Sequence, residues 1–411
     1  MEVRVVELFC GAGGMSLGLK RAGFEIVQAY DFWDKAVEVY RKNLGGPAWQ
    51  ADLKDIFRIG PMVAALAPDM ICGGPPCQDF SAAGERIEGE RAAMTKAFAM
   101  LVCVARPRWF LMENVPRASN SKAWADARAM LVRSGYGLTE SKLNASFYGV
   151  PQTRKRLFVI GRLGEQDEFL ASALAAARTS QPMTIRSMLA QMHPDDETLA
   201  RVGAFFTRPF YTGRGVRTLD ESAPSVIRTT REVPRPHYLA RPHPDDPVPA
   251  SGAATLTQGQ VARIQGFPTD WEWANVGSRA VDQMIANAVP PPLAEAIGNV
   301  ILAREGGKTI PEIQGRFGLW LGETRGFSKA AVRNAKSRVN RARRLLGGKT
   351  FSDGALELAA IESVEGFMKL PTATRSDLRK SLRLYREWWA EPTNRRARPS
   401  EKVAAVEALA A

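Results

Sequence analysis

The sequence has little cysteine, little histidine, no long apolar run, and one stretch with no acidic side chain. Its four cysteines, Cys10, Cys72, Cys77 and Cys103, are unevenly spaced and include no C-x-x-C pair. That speaks against a disulfide framework and for free thiols in a reducing cytoplasm. The three histidines, His193, His237 and His243, stand in proline-rich stretches away from any cysteine, so no metal site is expected. No stretch reaches the roughly 18 apolar residues of a membrane span. The first residues lack the charged-then-apolar pattern of a secretion signal. Neither membrane insertion nor secretion is expected. Acidic residues are missing from 324 to 352, where nine basic residues fall. From Lys308 onward the chain carries 21 Lys and Arg against 11 Asp and Glu, most of its net charge of +13. Such a tail suits a polyanion partner, or simply a solvated helix face.

With 45% hydrophobic residues in 411, the chain can bury one large core and a smaller unit. Up to residue 161 short apolar strands alternate with helical patterns. Strands are predicted at Val3 to Phe9, Phe24 to Tyr30, Asp69 to Cys72, Trp109 to Met112 and Arg156 to Gly161. Helices are predicted at Met15 to Ala22, Asp34 to Asn43 and Ala92 to Ala105. This alternation implies a parallel sheet of the α/β class covered on both faces, with ligands outside the carboxyl ends of its strands. Between Arg162 and Ser251 the pattern loosens into short strands and loops rich in Pro, Arg and Thr. Periodicity returns at Gln258 to Gln265 and across Val281 to Leu302. Gly306-Gly307 reads as a linker. Beyond it, Ser328 is placed to cap a helix to Leu346 with Val332, Val339, Ala342 and Leu346 on one face. Thr374 with Asp377 resembles a capping box for a helix through Trp388.

Several segments carry chemistry. Phe9-Cys10-Gly11-Ala12-Gly13-Gly14 lets the backbone turn sharply and approach a ligand, although the dinucleotide spacing of glycines is missing. It serves equally as a plain structural turn. Asp31 closes the second strand, where a carboxylate either accepts ribose hydroxyls or caps a helix. In Gly73-Gly74-Pro75-Pro76-Cys77-Gln78-Asp79-Phe80-Ser81 two prolines fix the backbone before a cysteine, as a positioned nucleophile requires. Glu113 leaves its strand at the same edge, where partial desolvation favours a raised pKa and proton donation. Arg154 and Arg156, in Gln152-Thr153-Arg154-Lys155-Arg156, are spaced to reach a phosphate or a base oxygen. Taken singly, each also reads as a cap or a surface cation.

Together and in this order, the segments resemble the DNA cytosine-5 methyltransferase family. The resemblance rests on VELFCGAGG (6–14), GGPPCQDFS (73–81), ENV (113–115), QTRKRLFVIG (152–161), RTLDESAPSVIRTT (217–230), LTQGQVARIQGFP (256–268) and QMIANAVPPPLAEAIG (283–298). It covers about residues 3 to 303. It implies a Rossmann-like S-adenosylmethionine-dependent methyltransferase fold with a small irregular target-recognition subdomain and a C-terminal helical extension. The implied division is a catalytic domain over 1–161, target recognition over 162–255, a return segment over 256–305, and a basic helical domain over 308–411.

The resemblance further implies that Phe9, Gly11, Ala12, Gly13, Gly14, Asp31, Phe32, Asp52, Leu53, Pro75, Asn287 and Ala288 hold S-adenosylmethionine. Asp31 would take the ribose, Phe32 and Asp52 the adenine. Cys77 would be the nucleophile, Glu113 the partner of cytosine N3, Arg156 the contact to O2, and Arg154 a support of the nucleophile loop. Gln78, Ser81, Asn114 and Gln152 would contact the substrate. S-adenosylhomocysteine is the expected product, and double-stranded DNA the partner, read by base flipping. The segment Ala82 to Arg91 is expected to close over the flipped base. A monomer is expected, cytoplasmic and nucleoid-associated, from a bacterial or phage restriction-modification setting. Asp79 and Ala286 stand where the family favours glycine. The region before Arg217 is short for target recognition, which makes the basic tail a candidate for sharing that task. A transfer-RNA cytosine-5 methyltransferase is the first alternative, though its Cys-Phe-Thr triplet is absent. An inactive DNA-binding homologue is the second.

Overall fold

A computed structural model describes residues 2–76, 92–190, 193, 196–209, 213–313, 315–351 and 353–391. The chain begins with β1 (Val3–Leu8), α1 (Gly14–Ala22), β2 (Phe24–Asp31), α2 (Asp34–Leu44), β3 (Ala48–Gln50), α3 (Ile56–Ala65) and β4 (Met70–Gly73). It continues with α4 (Ala92–Ala105), β5 (Trp109–Asn114), α5 (Lys122–Arg133), β6 (Tyr136–Asn144), β7 (Gln152–Thr153) and β8 (Lys155–Leu163). Seven of these strands form one sheet in the order β3-β2-β1-β4-β5-β8-β6. The pairs β3/β2, β2/β1, β1/β4 and β4/β5 are parallel. Continuous apolar runs explain the central strands: Val5, Val6 and Leu8, Met70 to Cys72, and Trp109 to Leu111 are buried on both faces.

Register decides where the chemistry emerges. Leu8 stands beside both Tyr30 and Gly73, and Gly73 beside Met112. The carboxyl ends of β1, β2, β4 and β5 therefore reach one edge together. Between β1 and β4 the strand order changes direction, the position where open α/β sheets form a ligand crevice.

The middle of the chain holds α6 (Ala171–Ala176), α7 (Ile185–Leu189), α8 (Glu197–Val202), β9 (Ala204–Phe206), β10 (Val216–Thr218), β11 (Ala223–Pro224), α9 (Pro236–Ala240) and β12 (Ala254–Thr255). Short strands were expected here, and a small sheet of order β10-β9-β12 forms. The short helices were not expected. Next come α10 (Gln258–Gln265), α11 (Ser278–Asn287) and α12 (Pro291–Glu305). The single periodic segment expected over Val281 to Leu302 is thus two helices. Pro290, Pro291 and Pro292 stop the first and start the second, since proline lacks the N–H a helix interior needs.

The chain divides into two compact units. The first comprises Met1–Leu131, Glu140–Ile160 and Ala173–Val300; the second comprises Val132–Thr139, Gly161–Ser172 and Ile301–Ala411. In the first, Phe205, Leu219 and Val226 share a core with Ile264, Met284, Ile285 and Ala12. The second contains α13 (Gly315–Glu323), α14 (Lys329–Leu345), α15 (Gly354–Glu362), α16 (Glu365–Met368) and α17 (Thr372–Ala390). Phe317, Trp320, Val339, Ala342, Phe367, Leu382, Tyr385 and Trp388 form its core. Ser328 caps α14 as its position predicts, its hydroxyl accepting from Ala331 N at 3.3 Å. The capping box at Thr374 and Asp377 does not form. α17 already begins at Thr372 behind Pro371, and Asp377 turns its carboxylate to Arg338. No described helix is long and apolar enough to cross a membrane.

Glu165 anchors the second unit from full burial. It takes Arg304 and Arg343, the latter at 2.5 Å, with Arg162 at 3.8 Å. Burial alone would raise its pKa, but the three guanidinium groups hold it below the usual carboxylate range. This contribution to stability is present above pH 4.5 and lost as pH falls through the lowered value. Glu165→Ala leaves buried arginines uncompensated and is expected to cost about 3–5 kcal/mol. A shift in the urea midpoint of α13–α17 unfolding measures it; an unchanged midpoint would refute the anchoring role.

Candidate active site at the strand ends

β1 ends at Leu8, and the backbone then reverses through positive φ at Phe9 (57°), Gly11 (54°) and Gly13 (87°). The turn is pinned by Cys10 N–H donating to Tyr30 O (3.0 Å) and Gly13 N–H donating to Cys10 O (2.9 Å). A Cβ on Gly11 would meet nothing within 4 Å, so this glycine borders open space. A Cβ on Gly13 would instead strike Leu44 and Tyr40 of α2.

Asp31, at the end of β2, accepts Gly11 N–H on Oδ2 (2.7 Å) and Trp33 N–H on Oδ1 (2.8 Å). Burial raises its pKa despite these donors. The Phe32 ring beside it is 69% exposed, an uncovered aromatic surface at the cleft wall. Ala51 N–H donates to Asp31 O at 2.9 Å, which brings Asp52 and Leu53 to the same wall.

Below this turn lies a polar group that sequence reasoning missed. Glu7 points inward from β1, buried, and accepts the Ser16 hydroxyl, which in turn accepts Tyr40 Oη–H at 2.8 Å. Burial pushes the Glu7 carboxyl up to about 8. The available signal was a lone acid inside the apolar run VRVVEL.

Opposite, Glu113 stands next to the end of β5, buried, with Arg156 Nε 3.1 Å from its Oε1. Burial raises its pKa, and Arg156 and Arg154 only partly offset this. Asn114 donates to Pro75 O at 3.4 Å and so ties the loop after β4 to the end of β5. Pro75 and Pro76 line the cleft. Cys77, Gln78, Ser81 and the expected closing segment Ala82 to Arg91 lie outside the described residues.

Arg154, nearly fully buried, donates to Val226 O (3.3 Å) and Ala286 O (3.0 Å) while lining the cleft. Gln152 is sealed in the interior rather than facing a substrate. Its Nε2 donates to Gln265 Oε1 (2.7 Å), its Oε1 accepts Val226 N–H (2.8 Å), and Gln265 donates onward to Ala288 O. Gln152 and Gln265, the latter unforeseen, thus hold the arginine loop, the middle segment and the residues after α11 in fixed relation.

These walls enclose a cavity of about 570 Å³. Phe9, Gly11, Ala12, Gly14, Asp31, Phe32, Asp52, Leu53, Pro75, Asn287 and Ala288 line it together with Glu113, Arg154 and Arg156. Gly13, Asn114 and Gln152 do not. Trp33, Met94 and Met284 line it without having been anticipated. One face is small and apolar with a carboxylate and an open ring; the other presents a carboxyl group gripped by a guanidinium. Such a cleft can hold a nucleoside-like molecule on one side and pass a proton on the other.

Comparison with known proteins agrees. A model of the C-5 cytosine-specific DNA methylase family matches residues 3–207 and 210–303. The Type II methyltransferase M.HindV of Haemophilus influenzae is 36% identical over 302 residues, 73% of this chain and 96% of the relative. M.HgiDI of Herpetosiphon aurantiacus is 39% identical over 294 residues, 71% and 92%. The structure of the S. pombe Dnmt2 methyltransferase superposes with a TM-score of 0.54 at 20% identity, covering 74% of this chain and 99% of that one. At that identity the likeness concerns the fold alone.

The Glu7 pair gives a pH test. Its folded pKa of about 8 lies above the ordinary 4.5, so the native state holds a proton that the unfolded chain has released. Stability from this group is therefore greatest below pH 4.5 and declines as pH rises toward 8, by about 1 kcal/mol per pH unit. Glu7→Gln removes that decline. Urea titrations at several pH values measure it, and identical pH slopes in parent and variant would count against a protonated Glu7.

Proposed function

The chain belongs to the C-5 cytosine-specific DNA methylase family, and from that premise we propose that it methylates C5 of a flipped cytosine in duplex DNA through a covalent bond from Cys77 to C6. It is a DNA cytosine-5 methyltransferase, and its curated relatives are Type II methyltransferases. The observation that carries the detailed reading is a single cavity joining the Asp31–Phe32 wall to the Glu113–Arg156 pair.

The cofactor wall fits S-adenosylmethionine. Gly11 leaves room where a side chain would intrude, and Phe32 offers its ring to an adenine. Asp31 is positioned to accept ribose hydroxyls and Asp52 the adenine amino group, while Asn287 and Ala288 border the methionine end. When bound, S-adenosylmethionine supplies an electrophilic methyl group and departs as S-adenosylhomocysteine.

The protein's own task is to make C5 electron-rich. The Cys77 sulfur, following Pro76 in sequence, adds to C6 as thiolate. Glu113, whose pKa burial raises, gives or holds a proton at N3. Arg156 grips Glu113 and reaches O2, and Arg154 anchors Val226 and Ala286 around them. The electron pair thus released to C5 forms the new carbon–carbon bond. Loss of the C5 proton and expulsion of Cys77 then restore the ring.

The test is transfer of labelled methyl from S-adenosylmethionine to unmethylated duplex DNA, with the product mapped at base resolution. Label is expected in 5-methylcytosine, abolished in Cys77→Ala and lowered about 10²–10⁴-fold in Glu113→Gln. Undiminished transfer by Cys77→Ala would overturn the covalent route. Label entering transfer RNA in place of DNA would overturn the substrate.

A further inference from the structure

In the second unit, cations without an ion pair among the described residues are most numerous on one helix, α14, although α17 adds Lys380 and Arg383. Several carboxylates of that unit are matched: Glu357 with Arg386 (2.5 Å), Glu362 with Arg379 (2.8 Å), Asp377 with Arg338 of α14 (2.5 Å), and Glu387 with Arg325. On α14, by contrast, Lys329, Arg333, Lys336, Arg341 and Arg344 make no ion pair among the described residues. Four of them are exposed and Lys336 is half-exposed. At 3.6 residues per turn the five fall within about 140° of the helix circumference, along about 22 Å of its axis. Ala330, Ser337 and Asn340 also fall on this face, and no acid does. The opposite face cannot rotate outward, because Ala335, Val339 and Ala342 are locked in the core.

We propose that this face of α14 binds the phosphate backbone of duplex DNA, adding a sequence-independent hold on the substrate of the reaction proposed above. A rigid row of cations about 22 Å long suits a partner that presents one charge per roughly 1.7 Å of axis. A membrane surface is disfavoured, since an interfacial helix needs a free apolar face and that of α14 is buried. Single-stranded nucleic acid is disfavoured as well, because the face carries no aromatic ring for base stacking. The family match ends at residue 303, so this surface lies outside the part shared with the family.

The experiment compares full-length parent with Arg333→Gln/Arg341→Gln/Arg344→Gln, measuring duplex DNA affinity across a salt series. These side chains are exposed, and the thermal midpoint serves as a folding control. Lys369→Gln/Arg379→Gln, which removes cations already paired, is the charge control. The triple variant is expected to bind about tenfold or more weaker at low salt, with a log–log salt slope reduced by about 2 to 3. The control should keep the parent slope. Equal slopes in parent and triple variant would overturn the proposal, as would an equal loss in the paired-cation control. An affinity loss confined to single-stranded RNA would also overturn it. Methyl transfer by the parent is scored separately, so failure of the α14 surface and failure of the methyltransferase reading are distinguishable.

Discussion

The cleft depends on one close approach of backbone to backbone. α1 lies so near the chain at Val289–Pro291 that a Cβ on Gly14 would sit 2.4 Å from Val289 O, and one on Gly18 2.2 Å from Pro291 O. No side chain fits at either position without displacing the turn between α11 and α12. That turn carries Asn287 and Ala288 to the cavity wall, although nearly the whole chain of the first unit separates them from β1. Glycine at two helical positions is intrinsically unfavourable, at roughly 1 kcal/mol each. Here the closure of the pocket offsets that cost. The Gln152–Gln265–Ala288 chain fixes the same segment from its other side. Two independent constraints thus set one wall.

Within that frame the electrostatics are asymmetric. Glu7 and Glu113 are both buried carboxyls with raised pKa, but only Glu113 has a guanidinium beside it. Glu7 accepts the Ser16 hydroxyl, which in turn accepts Tyr40 Oη–H, and the chain ties the structure under the glycine turn. Glu113 keeps a cation at 3.1 Å that stabilises its ionised form without fully overcoming desolvation.

Much of this was legible in the sequence. Strands buried on both faces leave short apolar runs, and a run ending in Gly or Pro marks where the chain leaves the sheet; β1, β4 and β5 were readable on that basis. What escaped has specific causes. β6 reads Tyr-Gly-Leu-Thr-Glu-Ser-Lys-Leu-Asn, whose polar half is only partly buried and breaks the apolar pattern. Gln152 lies in a motif full of polar groups, and nothing local distinguishes an amide that meets substrate from one that meets Gln265, far along the chain. Gly13 differs from Gly11 only in which way its missing side chain would point. The Thr374–Asp377 spacing suggested a cap, but Asp377 found a better partner in Arg338 on α14. Local pattern yields elements; long-range packing decides which polar group faces the cavity.

The same reasoning separates the roles of the two units. The groups proposed above to act on the reacting base, Glu113 and Arg156, belong to the first unit. A phosphate contact on α14 is made equally before and during the reaction. Uniform binding of that kind lowers KM without raising kcat. A cation stripe is therefore useful to this enzyme through occupancy: it raises the time spent on duplex at low DNA concentration, whatever the sequence. Discrimination among bases must come from residues that reach into the grooves, because phosphate contacts position a protein without reading sequence. The exposed side chains beyond Val226, beginning with Ile227 and Arg228, follow directly from a residue clamped by both Gln152 and Arg154.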